Sequence, residues 1–176
     1  DIRELQQNLN LTVAYVTHDQ EEALAVSDHI IVMSNARIAQ TGTPRELYEE
    51  PANLFVADFI GDANIISGEL VSVAGPTAQV KVGDVSLQLP HRNVAQGAVK
   101  LAVRPDAILL DESASGGLTG TVQKASYLGT QVEYEVDSPI GNLFVVQYGR
   151  KEPIAPGTPV SISFTTDRGV AIIPNA

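Results

Sequence analysis

The spacing of apolar residues along this chain changes character part-way through. Over the first sixty residues it alternates between helical spacing and short continuous runs. Ile2, Leu5 and Leu9 fall at i, i+3 and i+7, predicting a helix that Asn10, tolerant of the left-handed conformation, can stop. Leu11–Val16 is nearly all apolar and predicts a buried parallel strand. At Thr17-His18-Asp19 that strand should give way to a helix. Asp19 suits its N-cap, Glu22 completes a capping-box pattern, and Glu21 and Glu22 complement the positive end of the helix dipole. This helix runs through Val26 and stops near Ser27-Asp28. Ile30–Met33 predicts a second buried strand, Asn35-Ala36 a turn, and Arg37–Gln40 the returning arm of a hairpin. Thr43, Pro44 and Glu46 then form an N-cap, first helical position and closing box residue, with Pro51 ending the helix. Leu54, Phe55, Phe59 and Ile60 mark a short amphipathic helix stopped by Gly61.

From Ile65 onward the period is two. Val80/Val82, Val85/Leu87/Leu89, Val132/Tyr134/Val136 and Val160/Ile162/Phe164 alternate with polar residues. Turn signals separate them: Gly75-Pro76, Gly83-Asp84, Gly116-Gly117, Pro139-Ile140-Gly141, Pro156-Gly157 and Asp167-Arg168-Gly169. Many short alternating strands with frequent turns indicate a small all-β barrel or sandwich.

Charge sharpens the division. Residues 1–62 hold 11 of the 21 acids but only 3 of the 11 Lys and Arg, so most of the net charge of −10 lies there. The expected units are therefore 1–62 and 63–176, with a boundary near Gly61-Asp62, and only the second should fold by itself. The acidic balance argues against nucleic acid or anionic lipid as main partner. No cysteine is present, which removes disulfides, thiolate metal sites and a Cys nucleophile. No apolar run approaches the roughly 20 residues that span a bilayer. The chain has no initiator Met and opens on a helical pattern already under way, so it is expected to be a piece of a longer protein.

Tyr15-Val16-Thr17-His18-Asp19-Gln20-Glu21-Glu22-Ala23 resembles the switch-histidine (H-loop) segment of ABC transporter ATPases, in the form found in importers of sugars, polyamines, iron(III) and similar solutes. Further segments fit in order. Asp28–Met33 resembles the last core strand of that domain, Arg37–Tyr48 its RIxQxGTPxELY element, and Phe55–Gly61 its FVAxFIG exit. Val103-Arg104-Pro105-Asp106 and Tyr127-Leu128-Gly129 resemble marks of the transport-associated OB (TOBE) domain. The fold class implied is an α/β fragment, the end of a P-loop NTPase-type nucleotide-binding domain over 1–62, followed by an all-β OB-like (TOBE) barrel over 63–176. The GxxxxGK[ST] phosphate loop, LSGGQ-like signature, Gln loop and the acidic strand for Mg²⁺ and the catalytic Glu are not in this sequence. The resemblance places them upstream of Asp1, so the chain alone is expected to be inactive and to bind no ATP.

His18 is the one candidate catalytic and nucleotide-binding residue. It lies where a strand is expected to end and a helix to begin, the edge where α/β proteins place ligands. By resemblance its imidazole contacts the ATP γ-phosphate and helps orient the attacking water. His29 and His91 lack metal-ligand spacing, and no metal site is expected. Asp19, Glu21 and Glu22 are read as helix caps rather than an acid–base cluster. Arg104 is read as a strand-end residue paired with a neighbouring acid, and Phe55/Phe59 as a seam packed on its own domain.

The resemblance implies a transport ATPase subunit, using ATP and Mg²⁺ when complete. It would work as a homodimer of ATPase subunits, with transmembrane permease subunits and, indirectly, a solute-binding protein, at the inner face of the membrane. Phe59–Asn64 leans to the iron(III) or polyamine branch. Two other readings are a stand-alone regulatory module for a small oxyanion and a pure dimerisation platform.

Overall fold

The computed structural model describes residues 2–113 and 116–175, with the side chain of Ile2 excepted. Elements are numbered in chain order. Helix α1 covers Ile2–Leu9, and Asn10 takes a left-handed φ of 50° behind it, as its side chain allows. Leu5 and Leu9 are exposed, so the apolar face of α1 has nothing to pack on. The strand expected at Leu11–Val16 does not form: the segment is irregular and Val16 is 96% exposed. A fully apolar strand is stable only between neighbours that take up its backbone groups and both its faces, and among the described residues no strand lies beside it.

Helix α2 (Gln20–Val26) begins as its sequence requires, with the Asp19 carboxylate accepting from the Glu22 N–H at 3.0 Å. The expected box is only half made. Glu22 accepts from the Thr17 hydroxyl, and the Asp19 N–H donates to that same hydroxyl oxygen. Strands β1 (Ile30–Ser34) and β2 (Arg37–Gly42) form an antiparallel hairpin across Asn35-Ala36, both at positive φ. β1 was expected to be buried throughout. Instead Ile30 and Val32 are buried while Ile31 and Met33 face out, so one side of the hairpin is uncovered. Helix α3 (Pro44–Glu49) has both halves of its capping box, and α4 (Leu54–Phe59) is capped by Asn53. Ile30, Val32, Leu47, Val56 and Ile60 make a small core of their own.

The rest is two five-stranded antiparallel sheets. One runs in the order β12 (Val170–Ile172), β6 (Gly97–Val103), β3 (Asn64–Ala74), β4 (Thr77–Val82), β5 (Val85–Pro90). The other runs β10 (Gly141–Tyr148), β9 (Gln131–Ser138), β8 (Leu118–Tyr127), β11 (Pro159–Phe164), β7 (Ile108–Asp111). The alternating residues behave as their period demands: Val80, Val82, Leu87, Leu89, Val132, Tyr134, Val136, Val160 and Ile162 are all buried in one core shared by both sheets. The Tyr134 hydroxyl, deep in it, accepts from the Ile154 N–H. Asn64 ties the sheets together in the manner of a backbone amide. Its side chain accepts from the Phe144 N–H and donates to the carbonyls of Phe144 and Val103. This architecture agrees with the all-β, OB-like expectation. No helix among the described residues is long and apolar enough to cross a membrane.

Candidate functional site

His18 stands on the irregular segment two residues before α2, exposed, at the rim of an open cleft of about 780 Å³. The walls of the cleft are the 11–18 segment, α2, strand β1 and the end of α4. Val13, Tyr15, Ile31 and Met33 give it an apolar lining, each about half exposed. The acids around His18 are engaged elsewhere. Asp19 caps α2, and Glu22 holds the Thr17 hydroxyl. The Glu22 carboxylate also bonds the Tyr15 phenol, which raises that phenol above its ordinary pKa, with burial and the nearby Asp19 charge adding to the effect. The His18 imidazole itself is exposed beside them.

The two other histidines make local hydrogen bonds. His29 Nε2 pairs with the Thr41 hydroxyl at 2.6 Å, and His91 Nδ1 accepts from the Asn93 N–H within its turn. Among the described residues no group of three His, Cys, Asp or Glu is placed to hold a metal ion. Phe55 and Phe59 stack on each other with centroids 5.4 Å apart, but 41% and 40% exposed. The packed residues of α4 are instead Val56 and Ala57, joined by Ile60 just past the helix, the one of the four expected apolar residues that is buried.

Arg104 departs furthest from expectation. It does not pair with an acid; Asp106 pairs with Arg168 instead, at 3.5 Å. The Arg104 side chain is 1% exposed and enters the crook between α3 and α4. Its guanidinium donates to the carbonyls of Tyr48, Ala57, Gly61 and Asp62 at 2.8–3.1 Å. It also lies 4.1 Å above the Tyr48 ring, a cation–π contact. Burial pushes its pKa down from the ordinary value; Tyr48, Asp106 and Asp62 oppose that shift. A planar five-donor cation suits four converging carbonyls as a lysine ammonium would not. Arg92 does similar work just past the C-terminal end of α3, donating to the carbonyls of Glu50, Pro51 and Ile172. Two arginines thus bind the helical segment to the sheets.

Two residues escaped the sequence reading. Gln20 looks like an ordinary first-turn polar residue, yet its side-chain oxygen accepts from the Gly61 N–H at 2.9 Å. Gly61 looks like a helix stop, and its φ of +92° is one that side chains rarely adopt. Its two backbone groups are held from opposite sides, the N–H by Gln20 and the carbonyl by Arg104. Only the Gly61 stop signal was visible in advance.

Comparison with known proteins fixes the kinship. Residues 101–172 match the TOBE domain family. The chain is 50% identical to the Fe(3+) ions import ATP-binding protein FbpC of Rhizobium etli, over 98% of this chain and 49% of that protein. That likeness runs through nearly the whole of this chain. The chain is also 38% identical to the spermidine/putrescine import ATP-binding protein PotA of Ruegeria pomeroyi, over 93% of this chain and 46% of that protein. Among solved structures, the cytoplasmic molybdate-binding protein ModG with molybdate bound aligns at a TM-score of 0.49 and 20% identity, over 63% of this chain and 96% of that one. The chain spans about half the length of the curated relatives it matches.

Proposed function

We propose that this chain is the C-terminal half of the ATP-hydrolysing subunit of an ABC importer, with iron(III) as the solute moved. Kinship over nearly the whole chain to Fe(3+) import ATP-binding proteins carries this reading, and the polyamine importer protein is the more distant relative. Residues 1–62 are then the end of a P-loop-type nucleotide-binding domain and 63–176 the TOBE domain. The complete subunit would use ATP and Mg²⁺, pair with a second copy, and drive transmembrane permease subunits from the cytoplasmic face of the membrane. The iron itself would meet other subunits. His18 is the switch residue. Phosphoryl transfer depends mainly on positioning and charge stabilisation, so a donor aimed at the γ-phosphate acts by holding the transferring group and the attacking water in line. The exposed imidazole at the cleft rim supports that role. The cleft itself is where the remainder of the domain and the nucleotide would lie.

The experiment is His18→Ala in the complete subunit, read as hydrolysis rate and ATP affinity. Loss of one aimed donor lowers the rate by about 10²–10³ while leaving ATP binding nearly intact. A near-normal rate would remove His18 from the mechanism.

An oxyanion module finds less support. The hollow of about 320 Å³ on the second sheet is bordered by Asp106, Gln147, Tyr148 and Arg150. Its unmatched group is the buried Gln147 side-chain oxygen, an acceptor, and the Arg150 guanidinium is already held by Glu112. That arrangement asks for a donor, not an anion.

A further inference from the structure

Gly61 is where the two halves of the molecule grip the same residue. From one side comes Gln20, the first residue of α2 and two positions from His18. From the other comes Arg104, which leaves the end of β6 in the β region and carries its own backbone restraint, its N–H donating to the Gly169 carbonyl at 2.7 Å. We propose that Gln20, Gly61 and Arg104 form a positioning link through which the β region sets the placement of His18. Gln20 and Arg104 are positioning residues, since Gln20, though it borders the cleft, spends its side-chain oxygen on the Gly61 N–H, and Arg104 does not line the cleft; the proposal rests on the switch role given to His18 above.

Three features make the link specific. Gln20 spans 41 residues of sequence to reach one backbone N–H, so the start of α2 is pinned to the exit from α4 by that contact. α2 has no fully buried residue and only Ala23 and Leu24 pack, partly buried, on the small core, so a single directed hydrogen bond weighs more in its placement. Arg104, by contrast, cannot shift without releasing four carbonyls and the Tyr48 ring together, which makes it a rigid anchor. A flexible element is thus tied to a rigid one through one glycine. Displacement of the β sheets would reach Gly61 through Arg104 and the start of α2 through Gln20. His18, on the irregular segment just before α2, would follow.

The test uses Gln20→Ala and Gln20→Glu in the complete subunit, and these two with Arg104→Lys in this chain. Gln20→Ala removes the acceptor, and Gln20→Glu restores one. Gln20→Ala is expected to lower kcat about tenfold, as loss of alignment does, with KM for ATP moved less than about twofold, and Gln20→Glu to recover most of the rate. In this chain, the His18 ring signals in NMR spectra should shift in Gln20→Ala and also in Arg104→Lys, while Gln20→Glu stays near the parent. Wild-type kcat for Gln20→Ala beside an inactive His18→Ala overturns the link and leaves the switch reading standing. Should His18→Ala itself be active, the switch reading falls, and the NMR arm alone decides the link: unmoved His18 signals in both Gln20→Ala and Arg104→Lys overturn it.

Discussion

Leu11–Val16 and Val132–Val136 are both strong strand candidates, and only the second is a strand. β9 lies between β8 and β10, with Val132, Tyr134 and Val136 in the shared core. Among the described residues no strand pairs with Leu11–Val16, which stays irregular and exposed. The difference lies in the surroundings rather than in propensity. A strand whose partners sit within the same chain closes its own core; one whose neighbours are missing remains an apolar segment facing solvent. The same contrast runs through the whole molecule. The β region is finished, whereas α1, 11–18 and the outer face of the β1–β2 hairpin present apolar surface with nothing upon it.

The contrast is most easily broken in the finished core. Leu101 is fully buried between the sheets, so Leu101→Ala should destabilise the chain by about 2–5 kcal/mol in urea unfolding. A cost below about 1 kcal/mol would mean that this core is no better closed than the N-terminal part. The next effect lies at the junction. Arg104→Met removes the donors from four carbonyls and should cost about 1–3 kcal/mol, measured the same way. It should also sharpen the contrast, because the helices would then unfold before the sheets and a single transition would separate into two. A single unchanged transition would show that the junction is held by something other than Arg104.

A smaller effect concerns a part of the N-terminal region that is complete in itself. Thr43→Ala removes the hydroxyl that accepts from the Glu46 N–H and donates to the Glu46 carboxylate, leaves the backbone half of the α3 capping box, and should cost about 1 kcal/mol. The Thr43 backbone N–H, then its hydroxyl, holds the Glu46 carboxyl below its ordinary pKa, against a small opposing push from desolvation. A depressed folded-state value means that this contribution is present above the unfolded pKa of about 4.3 and is lost as pH falls through the lower folded value. Thr43→Ala removes only the hydroxyl's share and should therefore flatten the acid limb of the stability curve in part. An unchanged acid limb would place the carboxylate's influence elsewhere.

What could be read in advance follows the same line. The period-two strands, the hairpin turn and the caps at Asp19 and Thr43 depend on residues close in sequence, and they stand where the pattern puts them. The Leu11–Val16 strand and full burial of β1 depend on neighbours that the described residues do not supply. Arg104 was misread for a different reason. An arginine at a strand end next to an aspartate invites an ion pair, but four carbonyls from α3, α4 and the turn after them converge on it, and carbonyls leave no trace in a sequence. The reach of Gln20 to Gly61 was equally invisible, since every residue type but proline has a backbone N–H to offer.

The smallest expected effect separates the two regions most cleanly, because it should change with the length of the protein. Val13 is 50% exposed and adjoins no strand, so Val13→Ser in this chain should alter stability by less than about 0.5 kcal/mol, as surface substitutions do. In the complete subunit the proposed function puts Val13 on a buried parallel strand, flanked by strands from the other half. There the same substitution loses the burial of an apolar side chain, worth about 1.5–3 kcal/mol, and leaves a hydroxyl that needs a partner. Paired urea unfolding of the two proteins gives the comparison directly. Equal small costs in both would mean that the longer protein also leaves 11–18 outside its core, and the cleft beside His18 would then not be completed by the missing half. Equal large costs would mean that the segment already packs in the short chain. Only a cost that grows with chain length fits an apolar strand waiting for its neighbours.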